Sequence, residues 1–366
     1  MNRSKQNKGK RQILLRSFLY VLIILVVNEF SFNKSNTEKQ RLYSEKEAQI
    51  LPDISMRNIS LADENFINFA VIGFSKCGTT YLLQHVLNTS QIYWGNKDGG
   101  LPREIHDLRK GRIKEFNQKY EGHLNKKTID GHRVFNGFKS PEVLQSESFL
   151  LNMETHFPKT DFIVSIRHPI LHFQSLYNFK FLRHGSKKSP NPNQLIGECD
   201  HDCTSQCKVI MKHRVCTGIS KFHEGLSRLN FTEMTSDELD LLGHHNRSIH
   251  GKLTGRVFLM ELGQMSDRTN RRESLQRDLE NFLKLEPKSI QFPELGGKRN
   301  KYLFDICEDR FRHVRGALLE IGKNASRWIQ EYFIKSPRTV VSNKDHFLEL
   351  VEAWKYDPCK GKTYSY

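Results

Sequence analysis

The feature that most constrains the fold is the stretch FAVIGFSKCGTTYLLQHVL, residues 69–87. A compact apolar run ends at Gly73, a short loop closes at Gly78, and apolar residues then recur at helical spacing. A strand that passes through such a loop into a helix turns several backbone N–H groups toward one point, at the positive end of the helix dipole. The stretch therefore predicts an anion-binding loop after a first strand.

The lysine of this loop lies at Lys76 and not directly after the second glycine. A Walker loop, G-x-x-x-x-G-K-[ST], would have lysine where Thr79 stands, so that it reaches the outer phosphates of a nucleotide. With the lysine moved back, we expect the loop to hold one terminal phosphate-like group, with Lys76 beside its bridging oxygen and no need for a metal. A turn without a ligand is the alternative. The predicted anion-binding residues are Ser75, Lys76, Cys77, Gly78, Thr79 and Thr80.

Strand and helix patterns alternate downstream of the loop. Strands are predicted within 134–138, 161–166 and 256–262, and helices within 79–87, 141–157, 169–183 and 271–285. The uninterrupted apolar run DFIVSI suits a central parallel strand. From Phe304 onward the pattern is helical. The order predicts an α/β fold, with a P-loop-like central parallel β-sheet flanked by helices and a mostly helical C-terminal part.

A second candidate anion site follows the strand DFIVSI. Arg167 comes directly after it, and Ser175 lies eight residues later on the next helix, about two turns along. Arginine is a bidentate donor to phosphate, and the carboxyl ends of parallel strands meet at one edge of a sheet. Two anion sites on neighbouring strands suit a nucleotide that is phosphorylated at both ends.

The G-x-x-K-x-G-T-T loop and the R-x7-S pair together resemble those of the PAPS-dependent sulfotransferases, especially the Golgi membrane-anchored carbohydrate enzymes of the heparan-sulfate type. The resemblance covers about residues 66–285 and weakens beyond. It implies that the loop binds the 5′-phosphosulfate of 3′-phosphoadenylyl sulfate (PAPS), and that Arg167 and Ser175 bind the 3′-phosphate. The segment GGKRN, with Lys298 and Arg299, is expected to close over the 3′ side of the nucleotide.

The same resemblance extends to candidate catalytic residues. LPREIHDL resembles the family segment that carries the base, so Glu104 takes that role, with His106 as the second candidate. GFKSPEVL resembles a K-[ST]-P segment, which puts Lys139 beside the acceptor. The implied activity is sulfuryl transfer to a hydroxyl, and a glycan is the favoured acceptor. The C-terminal part departs from the family pattern, so protein tyrosine, lipid and small metabolites stay open as acceptors.

The N-terminus predicts a membrane anchor. Basic residues precede an apolar run at 17–27, and no small-residue cleavage site follows. We therefore expect a cytosolic tail at 1–12, an uncleaved signal-anchor at 13–32, a polar stem at 33–65 and a lumenal domain at 66–366. A cleaved signal peptide is the alternative. With the resemblance, this predicts a single-pass type II protein of the Golgi membrane.

Sequons and cysteines agree with a lumenal domain. The chain has seven cysteines, and an oxidising lumen favours disulfides over a zinc site with His201 and His213. Cys307 and Cys359 are expected to form a bridge, which leaves Cys77 as the odd thiol. The remaining cysteines lie in a predicted insertion at about 186–216: Cys199, Cys203, Cys207 and Cys216. Sequons occur at Asn33, Asn58, Asn88, Asn230, Asn246 and Asn324.

Other functions fit the sequence less well. The net charge of +16 favours an anionic partner, but there is no RNA-binding signature, zinc-finger spacing or basic heptad pattern, which disfavours nucleic acid. A P-loop kinase-like enzyme using ATP is opposed by the position of Lys76. A non-catalytic lumenal protein that binds anionic glycans is the remaining alternative.

Overall fold

A computed structural model describes residues 67–95, 104–120, 128–129, 132–141, 143–182, 189–198, 215–229, 235–242, 253–267, 269, 271–293 and 304–360. These residues belong to one unit, Asp63–Tyr366. The predicted tail, anchor and stem lie outside them, as do the segment 199–214 of the insertion and the segment 294–303. Within the described ranges, no helix has the length and apolar character needed to cross a membrane.

A six-stranded parallel sheet organises the described residues. In chain order the strands are β1 (Phe69–Val71), β2 (Ile92–Tyr93), β3 (Thr128–Ile129), β4 (His132–Arg133), β5 (Phe135–Lys139), β6 (Asp161–Ile166), β7 (Val257–Glu261) and β8 (Thr339–Val341). The sheet has the order β2-β5-β1-β6-β7-β8, and β3 and β4 form a separate antiparallel pair.

The strand order reverses between β1 and β6. From β1 the chain continues to β2 and β5 on one side of the sheet, and then passes to β6, β7 and β8 on the other. In open parallel sheets, ligands bind in the crevice beyond the carboxyl ends of the strands at such a switch point. The loop after β1 and Arg167 after β6 therefore flank the position where topology favours a ligand.

Helices cover both faces of the sheet. They are α1 (Thr79–Tyr81), α2 (Ile113–Gln118), α3 (Glu147–His156), α4 (Pro169–Tyr177), α5 (Phe222–Ser227), α6 (Ser236–Leu242), α7 (Leu262–Ser266), α8 (Arg271–Leu283), α9 (Arg312–Glu331) and α10 (Lys344–Glu352). Local chemistry sets their starts, since Ser146 accepts a hydrogen bond from the Phe149 N–H to cap α3, and Pro169 begins α4. Two helices continue as π-helices: α1 through Leu82–Val86 and α4 through Asn178–Leu182.

Alternating strand residues fill a separate core on each face. Ala70, Phe162 and Leu259 belong to one cluster, which includes Trp328 of α9 and Phe347 of α10. Their strand neighbours belong to the other cluster, together with residues of α8 and of the π-helical continuation of α1. Its members include Phe69, Val71, Ile163, Phe258 and Met260 from the strands, Leu275 and Leu279 from α8, and Leu82, Leu83 and Val86. Because both faces are buried, β6 and β7 are apolar almost throughout, as predicted for central parallel strands.

The predicted α/β fold with a central parallel sheet is confirmed, but two strands of that sheet, β2 and β8, were missed, as was the separate pair of β3 and β4. The predicted strands at 161–166 and 256–262 correspond to β6 and β7, and the helices at 141–157 and 271–285 contain α3 and α8. β2 and β8 are two and three residues long and lie at the edges of the sheet. Runs this short show no clear period, so the helical C-terminal part also supplies an unpredicted strand.

The cysteines agree with the sequence where the structure describes them. Cys307 and Cys359 form a disulfide, and Cys77 is a buried free thiol, both as predicted. Cys216 is also disulfide-bonded, while Cys199, Cys203 and Cys207 lie outside the described residues. The sequon residues Asn88 and Asn324 are exposed. The other sequons, at Asn33, Asn58, Asn230 and Asn246, lie outside the described residues.

The Cys307–Cys359 bridge is expected to stabilise the fold. It joins residues separated by 52 positions, and a bridge closing a loop of that size contributes about 2–4 kcal/mol by restricting the unfolded chain. Cys307→Ser and Cys359→Ser should each lower the free energy of unfolding by that amount, measured by urea denaturation without reductant. The double variant should match the singles, and an unchanged unfolding midpoint would contradict the expectation.

Candidate active site

The loop after β1 contains two residues in the left-handed conformation. Lys76 has a φ of 68° and Gly78 a φ of 85°, and between them the Cys77 N–H donates to the Phe74 carbonyl at 3.2 Å. Glycine suits position 78 because the φ of 85° strains any residue that has a Cβ, and a Cβ there would also displace the end of the Leu262 side chain, 2.7 Å away. Lysine pays a steric cost for this conformation, and residues held in this way are common at functional sites.

The start of the loop lies tightly against β6. A Cβ on Gly73 would be 2.6 Å from the Ser165 backbone nitrogen, and the Phe74 N–H donates to the Ser165 carbonyl at 3.4 Å. At the far end, the Leu82 N–H donates to the Gly78 carbonyl at 3.0 Å. The amides before this first helical bond lack an acceptor within the helix. They give the loop the donors that an anion at a helix N-terminus requires.

His172 of α4 supports the loop from below. Its Nε2 lies 2.9 Å from the Ser75 carbonyl, and its Nδ1 lies 2.8 Å from the Ser220 Oγ. A carbonyl only accepts, so Nε2 carries the proton and Nδ1 accepts from the hydroxyl. Burial lowers the His172 pKa to about 3, and the positive charges of Arg167 and Lys76 act in the same direction. The imidazole is therefore neutral, and it links α4 to the loop by a hydrogen bond.

Cys77 faces the interior and not the anion site. Its thiol is fully buried, and burial raises its pKa well above the usual range, against the opposing effect of Arg167. A thiol held protonated in this way is a poor nucleophile. Thr79 is buried as well, whereas the Thr80 side chain reaches the surface.

Arg167 lies against the loop, as the topology requires. Its Nη1 is 3.5 Å from the Lys76 carbonyl oxygen, and the charges of Arg167 and Lys76 both act on Cys77 and His172. The two cationic residues therefore share one edge of the sheet. Ser175 lies further along α4 and is half-buried.

Glu261, at the end of β7, fixes the backbone beside Arg167. Its carboxylate accepts from the His168 N–H at 3.2 Å and also from the Gly263 N–H, so it links the end of β6 to the start of α7. It is completely buried, and burial raises its pKa to about 7. His168 in turn contacts the Tyr356 carbonyl through its Nε2 at 3.2 Å. The chain after Arg167 is thus held from two sides.

A buried lysine joins the predicted base to the loop on the β5 side. The Lys139 ammonium lies 2.7 Å from the Glu104 Oε1 and 2.9 Å from the Thr80 Oγ1. The backbone supports this contact, since Glu104 forms a parallel bridge with Lys139 and the Ile105 N–H donates to the Lys139 carbonyl at 2.9 Å. The Lys139 side chain is only 2% exposed, so its charge depends on the carboxylate beside it.

The Glu104 side chain contacts the buried Lys139 ammonium and is also accessible to solvent. Its side chain is 41% exposed, and its second oxygen, Oε2, lies 3.7 Å from the His106 Nε2. One carboxylate oxygen is therefore occupied by a buried ammonium, while the side chain remains reachable from outside. That arrangement suits a group that accepts a proton from an incoming molecule, provided that the molecule lies in contact with it.

The predicted site residues thus converge from three strand ends. The loop 75–80 follows β1, Arg167 follows β6, and Lys139 ends β5 with Glu104 and His106 alongside. Lys298 and Arg299 lie outside the described residues, and their roles stay predictions. The sequence did not single out His172, Glu261 or Phe179, whose ring lies 4.3 Å from the Lys76 Nζ. Of these three residues, only Phe179 could have been found from the sequence, because it lies one helical turn after Ser175 and so on the same face of the helix.

Buried histidines predict a loss of stability in mild acid. Burial lowers the pKa of His168 to about 4 and those of His172 and His223 to about 3, from 6.5. They are neutral when folded but bind protons below pH 6.5 when unfolded, so each costs about 1.4 kcal/mol per pH unit as the pH falls. Glu261 acts in the opposite sense, because its folded pKa of about 7 exceeds the ordinary 4.5, so stability from this group is lost as the pH rises.

The net expectation is a loss of about 3 kcal/mol in the free energy of unfolding per pH unit between roughly pH 6 and 4.5. Denaturant unfolding at a series of pH values measures this slope. His223→Gln removes one buried imidazole that has no described contact with the loop, and should reduce the net slope by about half. Stability that stays level or increases over this interval would be incompatible with three neutral buried histidines.

The fold is similar to that of known proteins, although the sequence matches none of the families or curated proteins compared. No protein-family model matches the sequence, and no curated protein sequence matches it. Among solved structures, the fold is similar to the crystal structure of a sulfotransferase from Alicyclobacillus acidocaldarius, with a TM-score of 0.45 and 14% identity. The alignment covers 72% of this chain and 94% of that chain. A likeness at this level assigns no residue roles.

Proposed function

We propose that the chain transfers a sulfuryl group from PAPS to an acceptor hydroxyl. The observation that carries the proposal is the position of Thr80, which belongs to the anion-binding loop and accepts a hydrogen bond from Lys139, the partner of Glu104. A candidate base and a candidate phosphate site are therefore joined by one buried ammonium. Transfer to a hydroxyl needs both within reach of the same reacting group.

The donor would lie across the switch point of the sheet. The loop amides with Lys76 would hold the phosphosulfate, while Arg167 and Ser175 would hold the 3′-phosphate. Support comes from the contact of the Arg167 guanidinium with the Lys76 carbonyl, which keeps both cationic residues at one sheet edge. Lys298 and Arg299 are proposed to complete the 3′ side. The described residues offer no group of metal-ligating side chains.

The chemical step would run in line. The acceptor oxygen attacks sulfur while its proton passes to Glu104, with His106 as the second candidate. The bond from sulfur to the bridging oxygen breaks, and its electron pair stays on the leaving phosphate. The Lys76 ammonium and the loop amides would stabilise that growing charge, the role for which preorganised donors are most effective. Lys139 would keep Glu104 aligned through the 2.7 Å contact between its ammonium and the Glu104 Oε1.

The acceptor is proposed to be a glycan hydroxyl on an acidic polysaccharide. The net charge of +16 would attract such a polymer, and the exposed side of Glu104 leaves room for approach. We further propose that the N-terminal segment anchors the protein in the Golgi membrane with this domain in the lumen. The Cys307–Cys359 disulfide and the exposed sequon residues Asn88 and Asn324 support an oxidising, glycosylating compartment.

Glu104→Gln tests the base. Glutamine keeps the size of the side chain and an oxygen that accepts from Lys139, but it cannot take the proton, so kcat should fall about 100-fold or more. Affinity for adenosine 3′,5′-bisphosphate, the product of the donor, should stay nearly unchanged. The assay follows labelled sulfate from PAPS onto a panel of glycans. Lys76→Ala serves as the inactive reference with the fold retained, and full activity of Glu104→Gln would remove Glu104 as the base.

Arg167→Glu tests the nucleotide site independently of turnover. Reversing the charge should weaken binding of adenosine 3′,5′-bisphosphate at least about tenfold, because a charge-assisted phosphate contact is lost and a repulsion is added. Isothermal titration measures the affinity, and Arg310→Glu on the exposed surface is the matched control. ATP with magnesium is titrated in parallel. Unchanged affinity would take Arg167 out of the site, and tight binding of ATP alone would favour the kinase-like alternative.

A further inference from the structure

An aromatic ring lies directly behind the loop lysine. The Lys76 Nζ is 4.3 Å from the centre of the Phe179 ring, well inside the range of a cation–π interaction. Phe179 belongs to the π-helical continuation of α4, the helix that begins after Arg167 and carries Ser175. Insertions of π-helix within α-helices are frequent at functional sites. Here the π-helical segment brings an aromatic face to the tip of the loop.

Contacts hold both the backbone and the ammonium group of Lys76 in place. Its backbone is left-handed and its carbonyl oxygen lies 3.5 Å from the Arg167 Nη1, while its ammonium rests on the Phe179 ring. A lysine side chain that is not held in this way samples many rotamers, and fixing them costs free energy on binding. The ring removes part of that cost before any ligand arrives.

A ring differs in an important way from a carboxylate in this position. A carboxylate would hold the ammonium by cancelling its charge, and it would then compete with a phosphate for the same donors. The ring attracts the ammonium through its quadrupole and leaves the positive charge in place.

We propose that Phe179 is a positioning residue, which holds the Lys76 ammonium in place for the phosphate-sulfate end of the donor. The inference rests on the proposed function, because it assigns Lys76 to that anion. The Lys180 ammonium also approaches the ring, at 5.7 Å, so an effect of changing Phe179 has to be traced to the correct lysine. A double-mutant cycle with Lys76 makes that distinction.

The experiment measures affinity for adenosine 3′,5′-bisphosphate by titration calorimetry. Phe179→Leu removes the aromatic face and should weaken binding about 3- to 30-fold, whereas Phe179→Tyr keeps the face and should stay within about threefold of the wild type. In a Lys76→Met background, Phe179→Leu should cause no further loss. Phe181→Leu is the matched control, because Phe181 is a buried residue of the same π-helical segment with no described contact to Lys76, and its binding should equal that of the wild type.

The possible failures are distinguishable. If the wild type binds the bisphosphate but Phe179→Leu weakens binding equally with and without Lys76, the inference is wrong and the nucleotide site stands. If the wild type does not bind the bisphosphate, the proposed function fails and the inference fails with it. A second readout needs no nucleotide: the ring should shift the Lys76 side-chain proton resonances upfield, and Phe179→Leu should abolish that shift. Resonances that do not move would overturn the contact itself.

Discussion

The close contact between β1 and β6 at the carboxyl edge of the sheet is the constraint on which the site depends. Gly73 leaves no room for a side chain beside the Ser165 backbone, so the loop must leave β1 pressed against β6. That contact places the loop next to Arg167, and the strand order reverses at the same point, which is where open parallel sheets bind ligands. A substituent at Gly73 would separate the two cationic residues before it altered any side chain of the site.

The charged and neutral side chains around the loop differ in their burial and in their hydrogen-bond partners. The described contacts of Lys139 are Glu104 and Thr80, and its burial makes that pairing obligatory. His172 and His168, by contrast, are kept neutral by burial and serve as hydrogen-bonding struts beneath Lys76 and Arg167. These two imidazoles add no charge of their own beside Lys76 and Arg167, and Glu261 is the described carboxyl group that interacts electrostatically with Arg167.

The sequence predicted those parts of the molecule that local pattern and loop chemistry determine. Buried strands such as β6 and amphipathic helices such as α9 have a clear period, and the glycines around Lys76 require an unusual backbone. The short strands β2 and β8 were not predicted, because they form by pairing with neighbouring strands of the sheet and their own residues show no strand pattern. The roles of His172 and Glu261 were not predicted for a related reason. Each is a single polar residue in an apolar element, and its hydrogen-bond partner lies on a segment that is distant in sequence.

The position of the lysine within the loop links these observations to chemistry. A lysine after the second glycine lies on the first turn of the helix and follows the phosphate chain outward. Lys76 instead lies at the tip of the turn, in a left-handed conformation. Two residues that follow β6 in the chain contact it: Arg167 lies at its carbonyl oxygen and Phe179 at its ammonium. A lysine held in this way reaches a single position near the loop and not a series of phosphates. In the proposed transfer, this one fixed positive charge would stabilise the charge that develops on a single bridging oxygen, and the acceptor would arrive from the side where Glu104 is exposed.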